Sequence, residues 1–210
     1  MKRRNILLAL ASAAAIVACT TAPVNERPAY SADDLREMDA IHKRDFHARG
    51  IATMDRLNLD DLQRACNEYR DHPPEELVKA LEAEQMKAIR FPSGSLMGDW
   101  KNGQKIAQSG QGMTWSDKPG KPNGGSCYNC HQLSPQELSY GTVGPSLRGF
   151  GKNRGNGPDM QRYAYAKIYD SKAFSVCSQM PRMGQSGTLT EDQIKDLVAY
   201  LLDPASPVNQ

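Results

Sequence analysis

The sequence predicts an all-α protein, with a small helical domain over residues 93–210 and a helical N-terminal extension ahead of it. Apolar residues recur at helical spacing in segments that carry caps and stops. No segment keeps the alternating period of a half-buried strand, and no internal repeat is present. Glycine and proline collect between those segments, above all around residues 111–126 and 141–157. A chain of 210 residues, 39% hydrophobic and 24% charged, suits one ordinary domain with an appendage and excludes a disordered or fibrous chain.

The first element is a leader. "MKRRNILLALASAAAIVAC" runs from Lys2, Arg3 and Arg4 into a short apolar stretch and then small residues, the layout of a secretory signal over residues 1–18. The apolar run falls short of the ~20 residues that a bilayer span requires. "IVAC", residues 16–19, resembles a bacterial lipobox, in which Cys19 becomes the lipidated first residue and anchors the protein to a membrane. Cleavage a few residues later, beside the small Thr20, Thr21 and Ala22, is the alternative, and it discards Cys19.

Removing residues 1–18 takes away three cations and no anion, leaving 23 basic against 24 acidic side chains. With no basic stripe, a nucleic-acid partner is excluded. The five cysteines then sort by position: Cys19 belongs to the leader, and Cys127 and Cys130 stand three apart. Cys66 and Cys177 remain as an even pair in an exported chain, which predicts a disulfide between them.

Residues 19–92 read as tether and extension. "TTAPVNERPAY" is a polar tether with two prolines. From Ser31 to about Tyr69 the composition is helical, with Ser31 and the acids after it as a start and Gly50 as a break. "PPEELVKALEAEQMKAIRFP" is a second helix, opened by Pro73 and Pro74 and closed by Pro92, with Leu77, Leu81 and Ile89 near one face. His42, His47 and His72 lie in this region among charges, without cysteine or carboxylate at ligand spacing, and read as solvated.

In the domain, residues 98–110 form a short amphipathic helix ending at a glycine. A helix is expected near Met160 to Phe174. The last, "TEDQIKDLVAYLLDP", opens with a capping box of Thr190 and Gln193 and a staple of Leu189 with Ile194. Pro204 stops it, and Ile194, Leu197, Val198 and Leu201 line one face.

Between these helices stands "CYNCH", residues 127–131. A thioredoxin-type pair needs a strand-to-helix turn, which the glycine-rich surroundings do not offer. Zinc needs four ligands, and the only further candidates are distant and isolated. Covalent haem attachment uses every part: Cys127 and Cys130 add to the haem vinyl groups, and His131 presents its imidazole to the iron. In "CSQMPRMG", Met180 before Pro181 is the candidate sixth ligand, Met183 its competitor. In "VGPSL", the Pro145 carbonyl can accept the other imidazole proton of His131.

The order of helix with Gly103, C-x-x-C-H, G-P-x-L, Met-Pro loop and terminal helix with Tyr200 resembles class I cytochromes c. That resemblance implies a crossing of the first and last helices, with Gly103 and Tyr200 in contact. Within this group, residues 93–208 are similar to the SoxX family, monohaem subunits of the SoxAX cytochromes of bacterial thiosulfate oxidation. The segments that carry the likeness are "GDWKNGQKIAQSGQG", "CYNCHQL", "ELSYGTVGPSLRGFGK", "YAKIYDSKAFSVCSQMPRMG" and "LTEDQIKDLVAYLLDPASPVN". Met183 is a departure, standing where many members carry an aromatic residue.

The resemblance implies a periplasmic heterodimer with SoxA, whose own haem carries a cysteine ligand. SoxA joins thiosulfate oxidatively to a carrier cysteine on SoxYZ, the L-cysteine S-thiosulfotransferase reaction. One haem c in this chain then relays the electrons, one at a time, to a small cytochrome c. Nothing in the chain offers a nucleophile or general base beside the haem, so it is expected to hold no catalytic residue.

Overall fold

A computed structural model of the chain describes residues 30–210; the leader, Cys19 and most of the tether lie outside them. Seven α-helices and no strand are found among the described residues. The extension contributes α1 (Ala32–Asp45), α2 (Asp61–Glu68) and α3 (Glu75–Ala88), and the domain α4 (Trp100–Gln108), α5 (Phe150–Arg154), α6 (Pro158–Tyr169) and α7 (Glu191–Leu202). No described helix is long and apolar enough to cross a membrane.

Local chemistry sets the boundaries. Ser31 with Asp34, Asp60 with Gln63, and Thr190 with Gln193 each form a reciprocal capping box that satisfies two amide donors at a helix start. The helical composition from Ser31 to Tyr69 resolves into α1, a 3₁₀ turn at Met54–Leu57 and α2, with the break at Gly50, whose φ of 54° favours glycine. The helix expected to Phe174 ends at Tyr169. There the buried Asp170 leaves helical geometry and its carboxylate accepts the Lys172 amide, opening a 3₁₀ turn at Ser171–Ala173.

The main core gathers α4, α6 and α7. Helix α7 is nearly enclosed, burying Ile194, Leu197, Val198, Ala199, Tyr200, Leu201 and Leu202. Helix α4 crosses it at Gly103, where an added Cβ would stand 2.1 Å from the Asp196 carbonyl oxygen and 2.8 Å from the Tyr200 Cβ. Only a residue without a side chain permits this approach. The C-terminal tail closes the far side, Asn209 donating to the carbonyls of Leu201 (3.1 Å) and Asp203 (2.9 Å).

The extension is docked by α2, which buries Leu62, Ala65 and Cys66, and by the half-buried Val78 and Leu81 of α3, whereas α1 buries no residue. Leu62, Cys66 and Val176 form a second apolar cluster with Val78, Leu81 and Cys177 around it, and Ile89 joins Ala166 and Ala173 in a third. The Cys66–Cys177 disulfide lies in the second cluster, its Cα atoms 5.6 Å apart. Farther along, the Ile51 amide donates to the Trp115 carbonyl (3.2 Å), and the Arg49 guanidinium covers the Trp115 ring at 3.4 Å from its centroid.

Candidate functional site

Cys127 and Cys130 are carried by a 3₁₀ turn at Cys127–Asn129, set against the end of α4 by Gly125 N–H to the Ile106 carbonyl (2.8 Å) and Ser126 N–H to the Ser109 carbonyl (3.0 Å). Gly124 is required by this contact, since a Cβ there would meet the Ser109 carbonyl oxygen at 2.0 Å. Ser126 takes a left-handed conformation, φ 49°, and accepts a hydrogen bond from the Asn129 side chain at 2.7 Å. Both thiols are free and half-buried. Burial pushes the Cys127 thiol up to about 12, so in this environment it is neutral and not a thiolate.

The chain returns along the motif, with Gly141 N–H to Tyr128 O (2.8 Å), Gly144 N–H to Cys130 O (2.8 Å) and Leu147 N–H to Gln132 O (2.8 Å). This pairing sets Pro145 opposite His131. The ring nitrogen Nδ1 of His131 lies 2.7 Å from the Pro145 carbonyl oxygen. A carbonyl only accepts, so Nδ1 carries the proton and the Nε2 lone pair is left free for a metal.

Gly144 was not singled out in the sequence, although "VGPSL" contains it. A Cβ at this position would sit 2.2 to 2.7 Å from three atoms of the His131 ring, so the glycine forms one wall of the imidazole's seat. The only trace in the sequence is a glycine immediately before the acceptor proline.

Met180 is half-buried and packs against the same core as Cys127 and Tyr128. Its segment is held by Ser171 Oγ, which donates to the Met180 carbonyl, and by the Met180 amide donating to Ser178 Oγ (3.2 Å). Met183 is buried, its amide bound to Ile168 O (3.2 Å) and its carbonyl accepting from Leu189 N–H (2.9 Å). Met183 is therefore a core residue with a fixed backbone, and Met180 lies on the turn before it.

The extension grips that turn from both ends. Cys177, three positions before Met180, is bonded to Cys66. Arg182, two positions after it, pairs with Asp60 at the start of α2 and reaches Gln85 of α3 at 3.4 Å. Burial opposes ionisation of Asp60, but the Gln63 amide and the Arg182 guanidinium outweigh it and hold the carboxyl below its ordinary value. These partners were not anticipated, because ion pairs 122 residues apart leave no periodic trace in a sequence.

The three histidines of the extension do not join a donor set. His42 packs edge-on against Phe46 at 5.6 Å, and His47 and His72 are exposed. Asp71 lies near Cys66 and Cys177, but both sulfurs are committed to the disulfide. The two free thiols and the imidazole with Nε2 released stand on one turn, the Met180 thioether packs against the same core as Cys127, and this set fits a haem held covalently through two cysteines.

Residues 100–203 match the family model of cytochrome c. A relative from Aquifex aeolicus (strain VF5), named an uncharacterized lipoprotein, is 33% identical over 212 residues, spanning 98% of this chain and 98% of its own. By this match, its helical architecture and its C-x-x-C-H turn, the domain over residues 100–203 belongs to the cytochrome c family of electron-transfer proteins, whose haem c is covalently bound.

Proposed function

We propose that this protein is the monohaem electron-relay subunit of a periplasmic SoxAX complex. The observation that carries the relay role is the Nδ1-anchored His131 directly after the Cys127–Cys130 turn, with Cys127 and Met180 both packed against the α4–α7 core. Cys127 and Cys130 would form the thioethers, and His131 Nε2 and the Met180 sulfur would hold the iron. Haem c in this setting supplies one reversible electron at a time. The residues do the rest: Pro145 fixes the imidazole, Gly144 gives it room, and core side chains pack against Met180.

The finer assignment is supported by the likeness of residues 93–208 to the SoxX family. On that reading the partner is SoxA, thiosulfate is joined to the SoxYZ carrier cysteine on the partner's haem, and a small cytochrome c accepts the electrons. Cys19 is proposed as a lipid anchor in the periplasm, a reading supported by the lipoprotein name of a relative that matches nearly the whole chain.

The test is native purification with an absorption spectrum and intact mass. A Soret band, a mass raised by one covalent haem, an N-terminus at diacylated Cys19 and a co-purifying second haem protein are expected. In a reconstituted system thiosulfate should reduce the haem only when SoxA and SoxYZ are present. A protein that stays monomeric with purified SoxA, its haem untouched by thiosulfate, overturns the subunit assignment in favour of a free-standing electron shuttle. A colourless protein overturns the haem reading.

A further inference from the structure

From the 3₁₀ turn at Ser171–Ala173 to the start of α7 the chain runs as turns and bends, and Met180 stands in the middle of that stretch. Its sequence neighbours Gln179 and Pro181 are exposed, while Met180 itself packs on the core. A surface loop resting on one apolar side chain opens easily unless something else holds it.

The holds come from the extension, and they follow one another along the loop. Ala173 shares an apolar cluster with Ile89 at the end of α3, and Val176 shares another with Leu62 and Cys66 of α2. Cys177 is bonded to Cys66. Past Met180, Arg182 pairs with Asp60 at the start of α2 and reaches Gln85 of α3 at 3.4 Å. Residues 178–181 are all that lie between the disulfide and the ion pair. Within them Lys172 Nζ donates to the Ser178 carbonyl, Ser171 Oγ donates to the Met180 carbonyl, and Pro181 has a fixed φ. Tethering both ends of so short a segment removes most of the conformations in which Met180 stands away from the core.

We propose that the extension is a clamp on the Met180 loop, in which Asp60 and Arg182 are positioning residues that, with the Cys66–Cys177 bridge, keep the Met180 sulfur from yielding its place to an outside ligand. The proposal rests on the reading of Met180 as a ligand of the haem iron. The loop then has two states, sulfur in and sulfur out, and a small exogenous base binds only the second. Its apparent affinity therefore measures the fraction of loops that have lifted. Loss of an ion pair that is neither fully exposed nor fully buried should raise that fraction about tenfold.

The experiment is an imidazole titration of the oxidised holoprotein, followed by loss of the sulfur-to-iron absorption, in the parent and in Asp60→Asn, Arg182→Gln and their double variant. Each single variant should bind imidazole about tenfold more tightly, and the double variant no more tightly than Arg182→Gln alone. Amide hydrogen exchange, which reads the loop and not the iron, should quicken at residues 178–184 and stay at the parent rate in α7. Asn209→Ala, which loses the tail's bonds on the far side of α7, should lower the denaturation midpoint yet leave the imidazole affinity at the parent value. An unchanged affinity in Asp60→Asn, effects of the two single variants that simply add, or an equal rise in Asn209→Ala overturns the proposal. Should Arg182→Gln not mature, Asp60→Asn decides alone: tighter imidazole binding with faster exchange at residues 178–184 supports the clamp, and parent values end it. A haem-bearing parent without the sulfur-to-iron band overturns the Met180 reading and the proposal with it, whereas a parent that has the band but is indifferent to Asp60→Asn overturns the proposal only.

Discussion

The histidine of the motif depends on a residue with no side chain. Because a Cβ on Gly144 would fall within 2.7 Å of the His131 ring, Gly144→Ala must displace either the imidazole or the loop. Overpacking of this kind costs about 1–3 kcal/mol. A lower denaturation midpoint and an altered axial-ligand spectrum are expected, measured by guanidinium titration and electron paramagnetic resonance. At the other axial position the two methionines should separate cleanly. Met180→Ala should abolish the weak sulfur-to-iron absorption of the oxidised protein and lower its potential. Met183→Ala should keep that band but lose about 2–5 kcal/mol of stability, because Met183 fills core space at 7% exposure. The reverse spectral pattern would move the ligand assignment to Met183. At this scale the sequence is legible wherever one residue type carries the chemistry, as in "CYNCH". It is silent about Gly144, because a glycine's necessity appears only once another chain segment has approached it.

Helix pairs and the extension make separate claims. Gly103→Ala would drive a methyl group into the Asp196 carbonyl and Tyr200 Cβ, forcing α4 off α7, and a loss of about 3 kcal/mol is expected in a denaturant titration. Asp60→Asn removes charge while leaving a side chain able to cap α2, so it isolates the pair with Arg182. The Arg182 side chain is 12% exposed and that of Asp60 41%, placing the pair between surface and buried values, about 1–2 kcal/mol. Asp60 is held below its ordinary 3.8, so its contribution is full above about pH 4 and lost as pH falls through its folded value. The stability difference between parent and Asp60→Asn should therefore shrink as pH falls below about 4; a difference that does not decline on acidification would refute the assignment. The terminal helix could be read from the sequence to within a residue because its capping box and stopping proline are local signals. In the extension the breaks at Gly50 and at Pro73–Pro74 could be read, but the 3₁₀ turn and the start of α2 between them could not, since contacts with residues 115 and 176 decide how that segment docks.

For the whole molecule, the disulfide closes a loop with a sequence separation of 111. The chain-entropy account gives such a bridge about 4–5 kcal/mol, and the Cys66→Ser, Cys177→Ser double variant should lose a comparable amount on chemical unfolding. The pairing could be reached by elimination among five cysteines. That it lands three residues from Met180 is legible in "CSQMPRMG", whereas the second hold on that loop, Arg182 with Asp60 and Gln85, is not, because the docking of α2 and α3 is a property of the folded surface. The bridge also changes what a broken backbone means. A single protease cut at the exposed Asp71–His72 turn separates the extension's first two helices from the haem-bearing piece in sequence but not in covalent connectivity. On a denaturing gel the nicked protein should run as one band without reductant and two with it, haem stain following the larger, so that the molecule tolerates a severed chain as long as its thiols stay oxidised.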